Sequence, residues 1–396
     1  MSSNVRKAVS RVRNKSDYYD YNLLAVVILL TCFGLVMLYS TSAYMAELKF
    51  GNDMEYFGKQ ALISAVCILL AIFVSFVDYH ILFSLGGLIY VVAFISMALV
   101  QSPLGVEVNY ARRWLKIGPI QFQPSEIAKI AVIVFVPIMI VKMGKRFRGM
   151  KACVPPLVFG GVLSLAAYLF TENLSTAIII AGITCLIVFV AHPKTAPFIL
   201  IVLAVSIIIG VAIFFLSQTL ESSESFRLRR ILVWLNPEKY PEEGGYQILQ
   251  ALYALGSGGL FGKGLGNSAQ KLGPVPEAQN DMIFSIVCEE LGIFGGAIVL
   301  LMFGYLIYRL FFIAQNAPDL FGSLMVVGIM SHISLQVILN ICVVLNLIPT
   351  TGITLPFISY GGTSVLFLMM EMALALSVSR KIRFQKEERD LWGDVR

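Results

Sequence analysis

Four carboxylates, Glu277, Asp281, Glu289 and Glu290, fall within the seventeen residues PEAQNDMIFSIVCEELG, at 276 to 292 of a chain in which only 14% of residues are charged. On a helix starting at Pro276, Glu277 and Asp281 share a face in the opening turns, whereas Glu289 lies about 12 Å further along at roughly 1.5 Å per residue. Glu290, nine residues from Asp281, points to the opposite side. The spacing therefore divides the cluster into an exposed candidate, Asp281 with Glu277 beside it, and a deeper pair suited to holding the helix in place. A carboxylate in the first turns is favoured in its ionised form by the helix dipole. There it can act as a general base toward a hydroxyl, or bind a divalent cation through oxygen.

Two basic sets complement these acids. One is Arg112, Arg113 and Lys116, next to Trp114; the other is Arg227, Arg229 and Arg230, with Lys271 further along the same segment. Guanidinium groups pair with phosphate in a planar, bidentate way, so a lipid phosphate or pyrophosphate is one reading. Anchoring to headgroups at a membrane interface is the other. In QPSEIAKI, residues 123 to 130, Pro124 suits a first helical turn and Glu126 the positive end of its dipole. Glu126 and Lys129 are three apart and share a face. Ionisable groups inside a membrane span cost about 2.5–3.5 kcal/mol each and mark interior cavities more often than lipid-facing surface; a purely structural ion pair fits the same spacing. His332, Gln336 and Asn340 recur at four-residue steps, positioned to line a cavity or to bridge helices. Glu371 has no evident partner in the sequence, and its role stays open.

Other chemistries lack their residues. There is no GxxxxGK[ST] loop, since Lys263 is followed by Gly264, and no GxSxG elbow. No nucleotide cofactor is expected. The three histidines are scattered, which gives no zinc spacing, and the six cysteines lie in or beside apolar runs, which gives no disulfide framework. Nothing points to nucleic acid as a partner.

The elements that must position these residues are membrane spans. The chain of 396 residues is 58% apolar, above the roughly 45–50% of soluble proteins. Apolar runs long enough to cross a bilayer as helices occur near 22–40, 61–77, 81–100, 124–143, 154–170, 174–191, 198–216, 282–308, 320–345 and 362–378. The expected fold is all-α, a polytopic bundle of about ten transmembrane helices. The runs lack the alternation of barrel strands, and the backbone of each must be satisfied within its own segment. An even number of spans puts both termini on one side. Arg6, Lys7, Arg11, Arg13 and Lys15, the basic stretch at 142–151, and the tail from Arg380 assign that side to the cytoplasm. The expected organisation is a basic N-terminus at 1–20, a membrane domain at 21–380 and a cytoplasmic tail at 381–396. The long loop at 218–281, between spans seven and eight, is extracellular and of a length that is usually functional. The first run is longer than a signal-peptide core and reads as an uncleaved anchor.

Taken together, GLVMLYSTS at 34–42, ARRWLKIGPIQFQPSEIAK at 111–129, the stretch from GGYQILQ at 244 to CEELG at 292, and LIPTTGITLPFISYGGTS at 347–364 resemble the SEDS family (shape, elongation, division and sporulation), nearest its FtsW/SpoVE branch. The resemblance implies a peptidoglycan glycosyltransferase polymerising lipid II into glycan strands at the outer face of the bacterial cytoplasmic membrane. Its implied partners are a class B penicillin-binding protein and other division-complex membrane proteins, and its implied setting the division septum. Elongation and sporulation paralogues share these motifs. By the same resemblance Asp281 is the catalytic residue, Arg112 and Arg113 the basic loop residues, and Glu126 and Lys129 the polar pair of the fourth span, with dependence on Mg2+ or Mn2+ at Asp281 as a further analogy. Three positions depart from the family pattern: ENLST at 172–176 puts Asn173 where relatives carry an acid, QND at 279–281 lacks a histidine, and QA stands at 250–251 for the common QS. Asn173 is accordingly given no catalytic role. The competing classes are a transporter that flips lipid II and a scaffold that only recruits the synthase.

Overall fold

The computed structural model describes residues 18–108, 111–118, 120–219, 226–272, 275 and 278–383. Its elements run α1 (Tyr21–Phe50), α2 (Glu55–Ser75), α3 (Ile81–Leu99), strands β1 (Gly105–Val108), β2 (Ala111–Ile117) and β3 (Ile120–Phe122), then α4 (Pro124–Met143), α5 (Val154–Thr171), α6 (Leu174–Ala191) and α7 (Ala196–Thr219). After these come α8 (Phe226–Leu235), α9 (Gly245–Ser257), α10 (Ile283–Asn316), α11 (Leu320–Val344) and α12 (Ser364–Arg380). Eight helices among the described residues are each long and apolar enough to cross a membrane. With α7 and α12 at the seventh and tenth apolar runs, the chain is the polytopic helical bundle expected from its sequence.

Burial separates core helices from peripheral ones. In the most apolar window of α11, 61% of residues are buried, and of α4, 56%, whereas α2 and α3 reach only 22%. Helices α4, α6 and α11 pack on one another at the centre, with α12 against α4 and α11, and α10 packs between α1, α9 and α11. Because lipid is as apolar as leucine, close approach rather than water exclusion holds such a bundle together. Gly34 on α1 illustrates this: a Cβ there would lie 2.5 Å from the Phe357 carbonyl oxygen. Asp20, Asn173 and Asp319 cap α1, α6 and α11 by accepting from the amides of Leu23, Thr176 and Gly322, satisfying donors that lipid cannot. Asp20 is also buried against the Arg309 guanidinium, 2.7 Å away, which ties the start of α1 to the distal half of α10.

Two features were not foreseen. The basic segment before α4 is a three-stranded antiparallel meander in the order β1-β2-β3, with a bulge between Val106 and Glu107. And α10, expected as one continuous span, is broken at Gly292, whose backbone (φ 68°, ψ −168°) is non-helical. In an intact helix the amides of Ile293 and Phe294 would donate to the carbonyls of Glu289 and Glu290. Instead those amides donate to Gly259 and Leu260, and the freed carbonyls accept from Lys263 and Gly264, at 2.9–3.2 Å. The glycine-rich stretch GGLFGKG is thus a splice laid into a helix break, and these two amides and two carbonyls are all paired.

Candidate active site

A polar cavity of about 840 Å³ opens between the meander, α4, α6, α11 and the start of α12. Each wall follows from a local rule. The meander buries Leu115, half-buries Arg113 and Trp114, and leaves Arg112 and Lys116 exposed. Arg113 lines the cavity together with Trp114 and Gln121. Partial burial pulls the Arg113 guanidinium below its usual value, opposed by the charge of nearby Glu172, so an anion entering here meets a cation already partly stripped of water. Pro124 opens α4, and one turn on Glu126 and Lys129 form a buried ion pair of 2.9 Å on the cavity wall.

Asp281 stands in the turn before α10, half-buried, at the cavity wall beside Asn280. Its backbone is held from two sides. The Asn340 side-chain amide donates to the Asp281 carbonyl at 2.7 Å, and the Tyr360 amide donates to the Gln279 carbonyl at 2.9 Å. The same Asn340 also donates to the Ile353 carbonyl at 2.7 Å, and Gln336 to that of Thr354 at 3.0 Å. The segment between α11 and α12 therefore has no regular structure of its own, yet its carbonyls are caught by side chains: Thr351 by the Ser175 hydroxyl, Thr350 by Arg230. That segment then runs along the cavity, and Gly361, Gly362, Thr363 and Ser364 present the beginning of α12 to it. Thr363 makes no side-chain capping bond, which leaves the positive end of a seventeen-residue helix facing the cavity.

The site thus assembles Arg113, Glu126, Lys129, Asp281 and Gln336 around one space, with Asn340 behind Asp281. Other expected members lie elsewhere. Arg112 is exposed, 3.8 Å from Glu107, and Lys116 is exposed as well. Lys271, expected at a phosphate, is instead buried and committed to Glu290 at 2.8 Å and to the Ser40 hydroxyl at 2.9 Å. Glu289 accepts from Lys263 at 2.6 Å and from the hydroxyls of Ser257 and Ser268. The two glutamates thus hold the spliced loop and α1 to α10 and do not enter the cavity. Glu277 lies outside the described residues, as do the side chains of Arg227 and Arg229. His332 lies 2.8 Å from Glu371, giving that acid its partner. Sequence reasoning missed the wall formed by Thr351–Thr354 and Tyr360–Ser364; its signal was the Pro- and Gly-rich stretch between two spans.

The family model for cell cycle proteins of the FtsW/RodA/SpoVE type matches residues 20–384. The chain belongs to the FtsW/RodA/SpoVE family. Among relatives of this FtsW/RodA/SpoVE protein, stage V sporulation protein E of Bacillus subtilis is 38% identical over 92% of this chain and 98% of its own. A probable peptidoglycan glycosyltransferase FtsW of the same species is 35% identical over 94% and 93%. Of solved structures, one from a study of polymerization and crosslinking by a peptidoglycan synthase complex superposes with a TM-score of 0.75 at 25% identity, covering 91% of this chain and 98% of that one. RodA of Thermus thermophilus gives 0.63 at 26% identity, over 93% and 98%.

In this FtsW/RodA/SpoVE chain the Glu126–Lys129 pair carries a clear energetic expectation. Lys129→Met strands a buried carboxylate and should cost about 3–5 kcal/mol, whereas Glu126→Gln with Lys129→Met removes both charges and should return to within about 1 kcal/mol of the parent. Thermal unfolding of the purified variants in detergent reads the difference. Equal losses in the single and double variants would show that the pair has no such coupling.

Proposed function

We propose that the protein is a peptidoglycan glycosyltransferase that polymerises lipid II at the outer face of the cytoplasmic membrane. The observation that carries this reading is the convergence of Asp281, Arg113 and the uncapped start of α12 on one polar cavity. Asp281 stands in the turn before α10, and Arg309 lies in the far half of that element, beyond the Gly292 break. Since Arg309 binds the Asp20 end of the chain, cytoplasmic termini put the cavity on the outside.

The GlcNAc 4-hydroxyl of one lipid II attacks C1 of the MurNAc at the end of the growing chain. The new O4–C1 bond forms as the bond from C1 to the phosphate oxygen breaks. Asp281 orients the hydroxyl and takes its proton. The electron pair leaves on undecaprenyl pyrophosphate, whose growing charge faces Arg113 and the positive end of α12, groups already in place before the reaction. Lys129, neutralised by Glu126, shapes the floor.

Among the described residues no three His, Cys, Asp or Glu side chains converge as a metal cage. One cavity carboxylate together with a substrate diphosphate is instead the donor set that suits Mg2+ or Mn2+. Asp281 would hold such an ion jointly with the substrate, where it would neutralise leaving-group charge.

A class B penicillin-binding protein that crosslinks the emerging strand is the partner we assign to this family member, in division or in the related sporulation role. A transporter reading draws on the polar stripe that continues down α11 to His332. That stripe closes on Glu371, which favours the enzyme. Product analysis tests the proposal: one undecaprenyl pyrophosphate should be released per disaccharide added, and release without polymer, or neither, would contradict it.

A further inference from the structure

On the α11 side of the cavity the buried atoms Gln336 Oε1 and Thr351 Oγ1 have no hydrogen-bond partner among the described residues, as is also true of Arg113 Nε on the meander wall. Gln336 is only 6% exposed. Its Nε2 is fixed on the Thr354 carbonyl, so the amide cannot turn to serve its own oxygen, and Oε1 is offered as an acceptor. Thr351 is held through its carbonyl by Ser175, which leaves its hydroxyl available as a donor. Both residues belong to the cavity lining, and Ile179 and Ile353 stand in the same lining. A buried polar atom left unpaired costs on the order of 1–3 kcal/mol, and a native fold rarely carries two in one wall without a ligand or water to meet them.

A secondary amide bearing a methyl group answers this set. Its N–H needs an acceptor, its carbonyl a donor, and its methyl an apolar seat. We infer that Gln336 and Thr351 form a subsite for the acetamido group of an N-acetylhexosamine, with Ile179 and Ile353 against the methyl. This rests on the glycosyltransferase reading and extends it: the enzyme selects its sugar by the 2-substituent, away from the atoms that react. A site built to hydrogen-bond a group rejects analogues lacking it, because its own polar atoms are then stranded.

The test uses short-chain polyprenyl diphosphate disaccharides carrying either acetamido groups or hydroxyls at C2, with binding measured on the full-length Asp281→Asn variant so that turnover does not intervene. The acetamido ligand should bind about tenfold more tightly. Adding Thr351→Val should reduce that preference to about twofold by weakening the acetamido ligand alone, and Thr351→Ser, which keeps the hydroxyl, should preserve it. Equal affinity for both ligands, or an equal loss on both in Thr351→Val, would overturn the subsite. Polymerisation by the unsubstituted protein, assayed in parallel, separates the two levels: polymer without C2 preference sinks the subsite alone, whereas neither binding nor polymer sinks the glycosyltransferase reading and the subsite with it.

Discussion

Asp281→Asn is expected to lower the rate of glycan polymerisation by about a thousandfold while leaving Tm nearly unchanged. A positioned general base contributes about 10²–10⁴-fold, and asparagine keeps the shape of the side chain while removing its capacity to take a proton. Two contacts that fix this turn run through the backbone: the Asp281 carbonyl accepts from Asn340, and the adjoining Gln279 carbonyl from Tyr360. The substitution leaves those bonds in place, so stability should change by no more than about 1 kcal/mol. Rates from labelled lipid II with the partner present, alongside thermal unfolding, check both halves. A variant that polymerises within tenfold of the parent would remove Asp281 from the chemistry, and one that unfolds would make its role structural.

Gly292→Ala is expected to be strongly destabilising. Its backbone lies in a region open almost only to glycine, and the added Cβ would sit 2.3 Å from the Leu260 carbonyl oxygen. Strain and overlap together should cost at least about 3 kcal/mol. Gly266→Ala is the control. Its φ of +83° is also positive, but a Cβ there meets nothing within 4 Å, so it should lose only about 1–2 kcal/mol. Because the splice sets where α10 begins relative to α1 and the loop, a surviving Gly292→Ala protein should also lose activity. Similar Tm values for the two variants would mean that the splice is not what fixes this end of the bundle.

The bundle was legible because a span must be apolar for about twenty residues and satisfy its own backbone, so hydropathy alone reveals it. The stripe His332, Gln336, Asn340 was legible as one face of α11 because helical spacing is local. What the three side chains grasp was not, since Glu371, Thr354 and Asp281 reach them only through the tertiary fold. The same limit hid the splice: glycines 259 to 264 looked like a loose loop, and nothing local says that their partners are carbonyls and amides some thirty residues away. Lys271 was assigned to a phosphate by its charge, yet buried beside Glu290 it has an acid of its own. Arg113 and Arg112 are chemically alike and adjacent; only their placement on the folded meander, short and irregular, decides which one faces the cavity.

A cavity that makes glycosidic bonds, and is not a passage for lipid-linked sugar, should work without a membrane to cross. Purified protein supplied with a class B penicillin-binding protein and labelled lipid II in detergent abolishes sidedness and leaves only chemistry to observe. The prediction is a ladder of glycan polymer; no polymer in detergent, with transfer of labelled lipid across the bilayer once the protein is placed in liposomes, would contradict it.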